Sequence, residues 1–138
     1  MRVEVAVRSH LLADSAVIAL VGTRGYTLRF PQSPTLPAFR VQLIDEQEPA
    51  HLRGGNDLRP ARVQVDAVAA EASGVDPYAQ ATGLADAISD ALMSQAPFVV
   101  GDLTLKVVER QSRAPMYDPD ELRLVIAGQD FLIWSSPA

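Results

Sequence analysis

The first apolar stretch, "VEVAVRSHLLA", carries two periods at once. Val3, Val5 and Val7 alternate as in a strand, while Val7, Leu11 and Leu12 share one face of a helix. The helical reading is preferred because "DSAVIALVG" continues it, with Asp14 suited to an N-cap and Gly22 to a stop. The pattern predicts a broken helix that buries Leu11, Val17, Ile18 and Val21. In "TRGYTLRFPQSPTLPAFRVQLIDEQ", Tyr26, Leu28 and Phe30 alternate, and prolines 31, 34 and 37 then impose an extended crossing. Phe39, Val41 and Leu43 resume the alternation with Arg40 and Gln42 opposite, which predicts a strand with one wet face.

A polar, glycine-bearing loop follows, "EQEPAHLRGGNDLRP". After it Ala61, Val63, Val65 and Ala67 alternate with Arg62, Gln64 and Asp66. The two strands most simply make an antiparallel hairpin with a long mobile tip. "VDPYAQATGLADAISDALM" has the clearest helical pattern. Asp76 and Pro77 suit its start, Ala81, Leu84, Ile88, Ala91 and Leu92 form its apolar face, and Gln80, Asp86 and Asp90 its polar face.

Two strands finish the chain. "DLTLKVVER" alternates through Leu103, Leu105 and Val107. "ELRLVIAGQDFLIW" alternates through Leu122, Leu124 and Ile126, and a parity shift at Gly128–Gln129, read as a bulge, would turn Phe131 and Ile133 inward. Between them "SRAPMYDPDE" has the Asp-Pro chemistry of a turn. The element order predicts one α+β domain over residues 1–138, an antiparallel sheet with helices packed on one face.

Composition narrows the function. The chain has 138 residues, a formal net charge of -5 and no cysteine. Disulfides, zinc–thiolate sites and thiol catalysis are therefore excluded. No run approaches the roughly 20 apolar residues of a membrane helix, and the first residues lack a signal-peptide pattern, so a soluble, cytoplasmic chain is expected before any assembly. The negative balance argues against ordinary nucleic-acid binding, and the arginines are scattered over a helix, a proline-rich crossing, a loop tip and several strands.

Candidate chemistry is sparse. His10 and His51 are the only histidines and have no metal-ligand spacing. Serines occur without a G-x-S-x-G elbow, and "RGGND" is not followed by the Lys-Ser/Thr of a phosphate loop. Tyr78 and Tyr117 read as packing residues rather than stacking platforms for bases. An enzyme would need a pocket of converging acids, for which Asp45, Asp66, Asp118 and Asp130 lie on different elements.

Five stretches in order carry a resemblance: "HLLADSAVIALVGTRGY", "PQSPTLPAFRVQLI", "LRPARVQVDAVA", "DPYAQATGLADAISDAL" and "MYDPDELRLVIAGQDFLIW". Together they resemble the tail-completion proteins of long-tailed phages, also described as tail terminator or head–tail joining proteins. The resemblance implies a structural virion protein without catalytic, cofactor or metal residues. It implies a ring, commonly a homo-hexamer, on the head-proximal end of the tail tube. That ring stops tube growth, meets the tail tube protein and the head-neck or stopper protein, and lets DNA pass without strong binding. Such a subunit would be made in the host cytoplasm and reside in the virion. A head-side neck or stopper protein is the alternative within the same class. The candidate assembly-contact loop is His51, Leu52, Arg53, Gly54, Gly55, Asn56, Asp57, Leu58 and Arg59.

Overall fold

The structure is a computed structural model and describes residues 1–47, 58–72, 74–118 and 124–138. Helix α1 spans Val3–Leu11 and buries Val3, Ala6, Val7 and Leu11, so the helical period prevails over the alternation of the valines. Val5, which a strand would have turned inward with Val3 and Val7, is exposed. Helix α2, Ser15–Val21, starts where the Asp14 carboxylate accepts a hydrogen bond from the Val17 amide at 3.1 Å. It stops at Gly22, whose φ of 61° suits glycine. Val17 and Val21 face the core one turn apart. Ile18 does not; it sits about 100° further round a seven-residue helix and is exposed, correcting the expectation that it is buried.

Strand β1 is only Gly25–Thr27. The expected run through Leu28 and Phe30 fails because Leu28 turns out of the strand at φ 70°, 64% exposed, while its amide still donates to the Val41 carbonyl. The proline-rich crossing then brings the chain back in the same direction. Strand β2, Ala38–Glu46, therefore runs parallel to β1. The sheet is thus mixed at this edge, not wholly antiparallel as expected.

Strand β3, Arg59–Ala70, pairs antiparallel with β2 as the alternation predicts. Helix α3, Pro77–Met93, is capped by Asp76 and buries Ala81, Leu84, Ile88, Ala91 and Leu92. Strand β4, Phe98–Val100, is too short to leave a pattern in the sequence. Strands β5, Leu103–Asp118, and β6, Leu124–Pro137, form a long antiparallel hairpin. The six strands lie in the order β1-β2-β3-β6-β5-β4.

Three expectations about this hairpin are corrected. First, β6 has no bulge at Gly128. It alternates without interruption, burying Val125, Ala127, Gln129, Phe131, Ile133 and Ser135, and pairs with β3 in unbroken register. Phe131 and Ile133 are buried as expected, but by simple alternation. Gly128 is instead a point of close approach: a Cβ there would lie 2.9 Å from Asp66 Oδ1. Second, the irregularities sit in β5, between Leu105 and Val107 and between Arg110 and Ser112. The first turns Val108 inward and leaves Val107 exposed. A bulge is better tolerated at this outer strand than in β6, which is paired on both sides. Third, Ser112 to Asp118 continue the strand instead of forming a turn, and the remainder of the expected turn, residues 119–121, lies outside the described residues. Pro115 is accommodated because its missing N–H is not needed on an open edge.

The core lies between the helices and the sheet face carrying Phe39, Val63, Val65, Leu105, Phe131 and Ile133. Burying each large side chain favours the fold by about 1.5–3 kcal/mol. A polar clasp crosses this layer. Gln129 Nε2 donates to the Ala85 carbonyl at 2.7 Å, and Arg110 Nη1 reaches Ser89 Oγ at 3.2 Å and Gln129 Oε1 at 3.3 Å. These bonds satisfy buried polar groups and fix how α3 sits on β5 and β6. His10 bridges α1 to α3 through Nε2 and the Ala91 carbonyl, 2.9 Å apart, while its ring stacks on Phe98 at 3.7 Å.

Candidate functional site

The expected contact loop falls mostly outside the described residues, which exclude His51 to Asp57. Leu58 is half-buried, and Arg59 is exposed at the start of β3, in register with Ser135 of β6. The base of the β2–β3 connection is closed by the Gln47 amide donating to the Pro60 carbonyl at 3.0 Å. Beside it Asp45, Arg62, Gln111, Leu132 and Trp134 line a depression of about 320 Å³. This depression lies on the sheet face opposite the helices.

That open face carries a charge not anticipated from the pattern. Asp66, expected on a wet face, is 1% exposed. Its Oδ1 accepts from Gln64 Nε2 at 2.8 Å, and its Oδ2 accepts from Arg40 Nε at 3.2 Å and from Arg40 Nη2. Arg40 in turn lies over the Phe30 ring, 5.7 Å from its centroid, and Phe30 meets Tyr26 edge to face. The aromatic pair and the glycine at 128 let the ion pair lie flat on the sheet.

Asp130 accepts from Ser112 Oγ at 3.1 Å and shares a depression of about 230 Å³ with Asp66. Both oxygens of Asp66 are already engaged, as they would be in a structural ion pair. Asp66 and Asp130 thus share one depression and Asp45 lies in another, while Asp118 ends β5 and its side chain lies outside the described residues. Among the described residues no group of three or more His, Cys, Asp or Glu could hold a metal ion. Among them, too, no helix is long and apolar enough to cross a membrane. Tyr78 is not a packing residue; it is more than half exposed at the start of α3.

The flanks of the sheet hold what the linear pattern concealed. Arginines that looked scattered gather around β1. Arg8 Nε donates to the Gly25 carbonyl at 2.6 Å, and Arg24 Nε to the Pro37 carbonyl at 2.9 Å. Arg8 and exposed Arg29 border one shallow depression with Tyr26, Thr27 and Phe30. On the opposite flank α3 and β5 enclose a groove of about 230 Å³, with Tyr78, Asp86, Arg113 and Pro115 on its walls. Arg113 Nη1 and Asp86 Oδ1 are 3.9 Å apart there and both are well exposed, so their attraction contributes little. Only tertiary contact reveals either flank, because the residues of each come from separate elements.

Comparison with known proteins fits this arrangement. The family model described as tail completion protein gp17 matches residues 5–135. A solved chain from the "Virion of native gene transfer agent (GTA) particle" superposes with a TM-score of 0.71 at 23% identity, covering 97% of this chain and 94% of that one. A second solved chain superposes with a TM-score of 0.51 at 13% identity, covering 96% of each. These likenesses establish a shared fold. None of the curated proteins matches the chain.

Proposed function

The chain belongs to the tail completion protein gp17 family, and from that premise we propose that it is the subunit of a ring, a homo-hexamer, that closes the head-proximal end of a tail tube. The ring stops addition of further tube protein and offers its other surface to the neck of the head. DNA passes through it without being held, and the protein acts by contact rather than by catalysis. The observation that carries the reading is the family match along nearly the whole chain. The described surface agrees with it: broad, half-polar sheet edges and shallow depressions suit protein contact. The loop at residues 51–59 is assigned to docking on the tube or neck.

The reading is tested by removing the chain from a producing strain and imaging the particles. Overlong tails detached from heads support it. Normal tails joined to heads would refute it. Tails of normal length beside tailless heads would move the subunit to the head side of the neck.

A further inference from the structure

Among the described residues both long edges of the sheet are open. β1 covers β2 only at residues 39–41, which leaves the outer edge of β2 without a strand at residues 42–46. Among the described residues β4 covers β5 only at residues 103–105, which leaves the outer edge of β5 without one from residue 106 to Asp118. Long exposed edges are normally guarded against chance pairing. On β5 both bulges lie before Ser112, and the stretch from there to Met116 runs in regular register with β6 and is fully exposed.

Strand directions allow these edges to meet. β2 and β6 run one way, β3 and β5 the other. A rotation about an axis along the strands would set β5 of one copy beside the β1–β2 edge of the next, antiparallel, with Ser112 level with Gln42, residues 108–110 level with the open stretch of β2, and residues 113–116 level with β1. Such a contact is heterologous and can close into a ring.

The flanks also match in charge. Beside β1 stand Arg8, Arg24 and Arg29; the side chains of Arg8 and Arg24 donate to carbonyl oxygens rather than to acids, and Arg29 is exposed. Beside β5 stand Asp86 and Asp90, exposed one turn apart on α3. They also lie at the same height. Thr27 is in register with Val41, and Val41 lines up through Val65 and Gln129 with Arg113, the neighbour of Asp86.

We propose that a second copy of this chain docks edge to edge, its β5 edge and the Asp86 and Asp90 strip seating against the β2 edge and arginine cluster of the first, so that the sheet continues antiparallel from copy to copy. This deepens the ring reading and rests on it. The exposed Asp86–Arg113 contact would exchange for pairing with the neighbour's arginines.

The absence of cysteine makes a cross-linking test clean. Gln42 lies on the open face, as do Ser112, Ala114 and Met116, while Arg113 and Pro115 point to the helix side. Within one copy Gln42 and Ser112 are separated by two intervening strands, roughly 14 Å, too far for a disulfide. Gln42→Cys is combined in turn with Ser112→Cys, Arg113→Cys, Ala114→Cys, Pro115→Cys or Met116→Cys in the full chain. Each variant is incorporated into tails, oxidised and run on non-reducing gels, with ring occupancy read by imaging the same tails. The expected result is a ladder up to the ring for position 112, which is level with Gln42 on the same face, and none for positions 113 and 115. In parallel, Arg29→Glu and Asp86→Arg are each expected to lower ring occupancy several-fold, and the double exchange to restore it. Rings present on tails without any ladder, or with ladders indifferent to face, would overturn the edge contact while leaving the ring reading intact. No rings on tails at all would defeat both.

Discussion

Replacing Gly128 with alanine tests whether that glycine serves close packing. The backbone there is not in the left-handed region, so alanine meets no conformational penalty. Restricting the unfolded chain would by itself favour the folded state by about 0.4–1 kcal/mol. Opposing this, the new methyl would stand 2.9 Å from Asp66 Oδ1, with Gln64 Nε2 at 3.8 Å and the Ala114 carbonyl at 3.9 Å. Asp66 cannot swing aside cheaply. Its two oxygens are tied to Gln64 and Arg40, and turning the carboxylate would break charge-assisted bonds in a buried position. Overpacking of this kind costs about 1–3 kcal/mol, which outweighs the entropic gain. Gly128→Ala should therefore destabilise the protein by about 1–2 kcal/mol in urea unfolding, with the midpoint moved and the slope kept.

The same change in an Asp66→Ala background decides the cause. Asp66→Ala leaves Arg40 without its acid and should cost about 1–3 kcal/mol on its own, tempered by the partial exposure of the guanidinium. It also empties the space that the methyl needs. In that background Gly128→Ala should be neutral or stabilising, a coupling of at least about 1 kcal/mol. Equal costs in both backgrounds would refute the close-approach argument and return Gly128 to a backbone role.

Other outcomes follow from the same geometry. Phe131→Ala removes a fully buried ring from the centre of β6 and should cost about 3–5 kcal/mol by chemical melt; a loss below about 1 kcal/mol would mean that the strand faces the other way. Gly83→Ala, on the exposed side of α3 with no atom within 4 Å of the new Cβ, should stabilise by up to about 1 kcal/mol, read as a raised Tm. Shortening the chain across residues 53–57 should leave the Tm nearly unchanged while tails grow overlong or fail to join heads; outright unfolding would make that loop part of the core.

Elements whose apolar spacing is set by their own segment were legible in the sequence. α3 could be read from Asp76, Pro77 and five apolar positions at helical spacing, and β3 from its alternating small and β-branched residues. The fold class followed from their order. What could not be read depended on partners distant in sequence. Gly128 announces a special position, but its meaning lies in Asp66 on the next strand. "TLKVVER" admits either parity, and pairing with β6 decides that Val108 and not Val107 turns inward. Three residues of β4 are too few for a period. The resemblance in the sequence agreed with the family match. The flanks that could join subunits were hidden, because Arg8, Arg24 and Arg29 on one side, and Asp86 and Arg113 on the other, become neighbours only after folding.

The gathering of arginines around β1 sharpens the nucleic-acid question. Duplex DNA binding is driven largely by counterion release, with a slope of log K on log salt near −0.9 for each phosphate neutralised. Arg8, Arg24 and Arg29 could neutralise three phosphates at most, a slope of about −2.7 for an isolated subunit. Arg40 adds little, since Asp66 already balances it. In the edge-to-edge ring two of the three arginines are balanced by the neighbour's Asp86 and Asp90, so this slope should shrink to about −0.9 or shallower. Fluorescence anisotropy with labelled duplex, from low salt to about 0.15 M where screening extends only about 8 Å, reads both states. Weak binding by the dilute subunit, shallow in salt, and none by tails bearing the ring is the expected outcome. A slope steeper than about −5 would require more cations than these flanks supply. It would bring in Arg53 of the β2–β3 connection and Arg59 at the start of β3, and with them a grip on DNA in place of a passage for it.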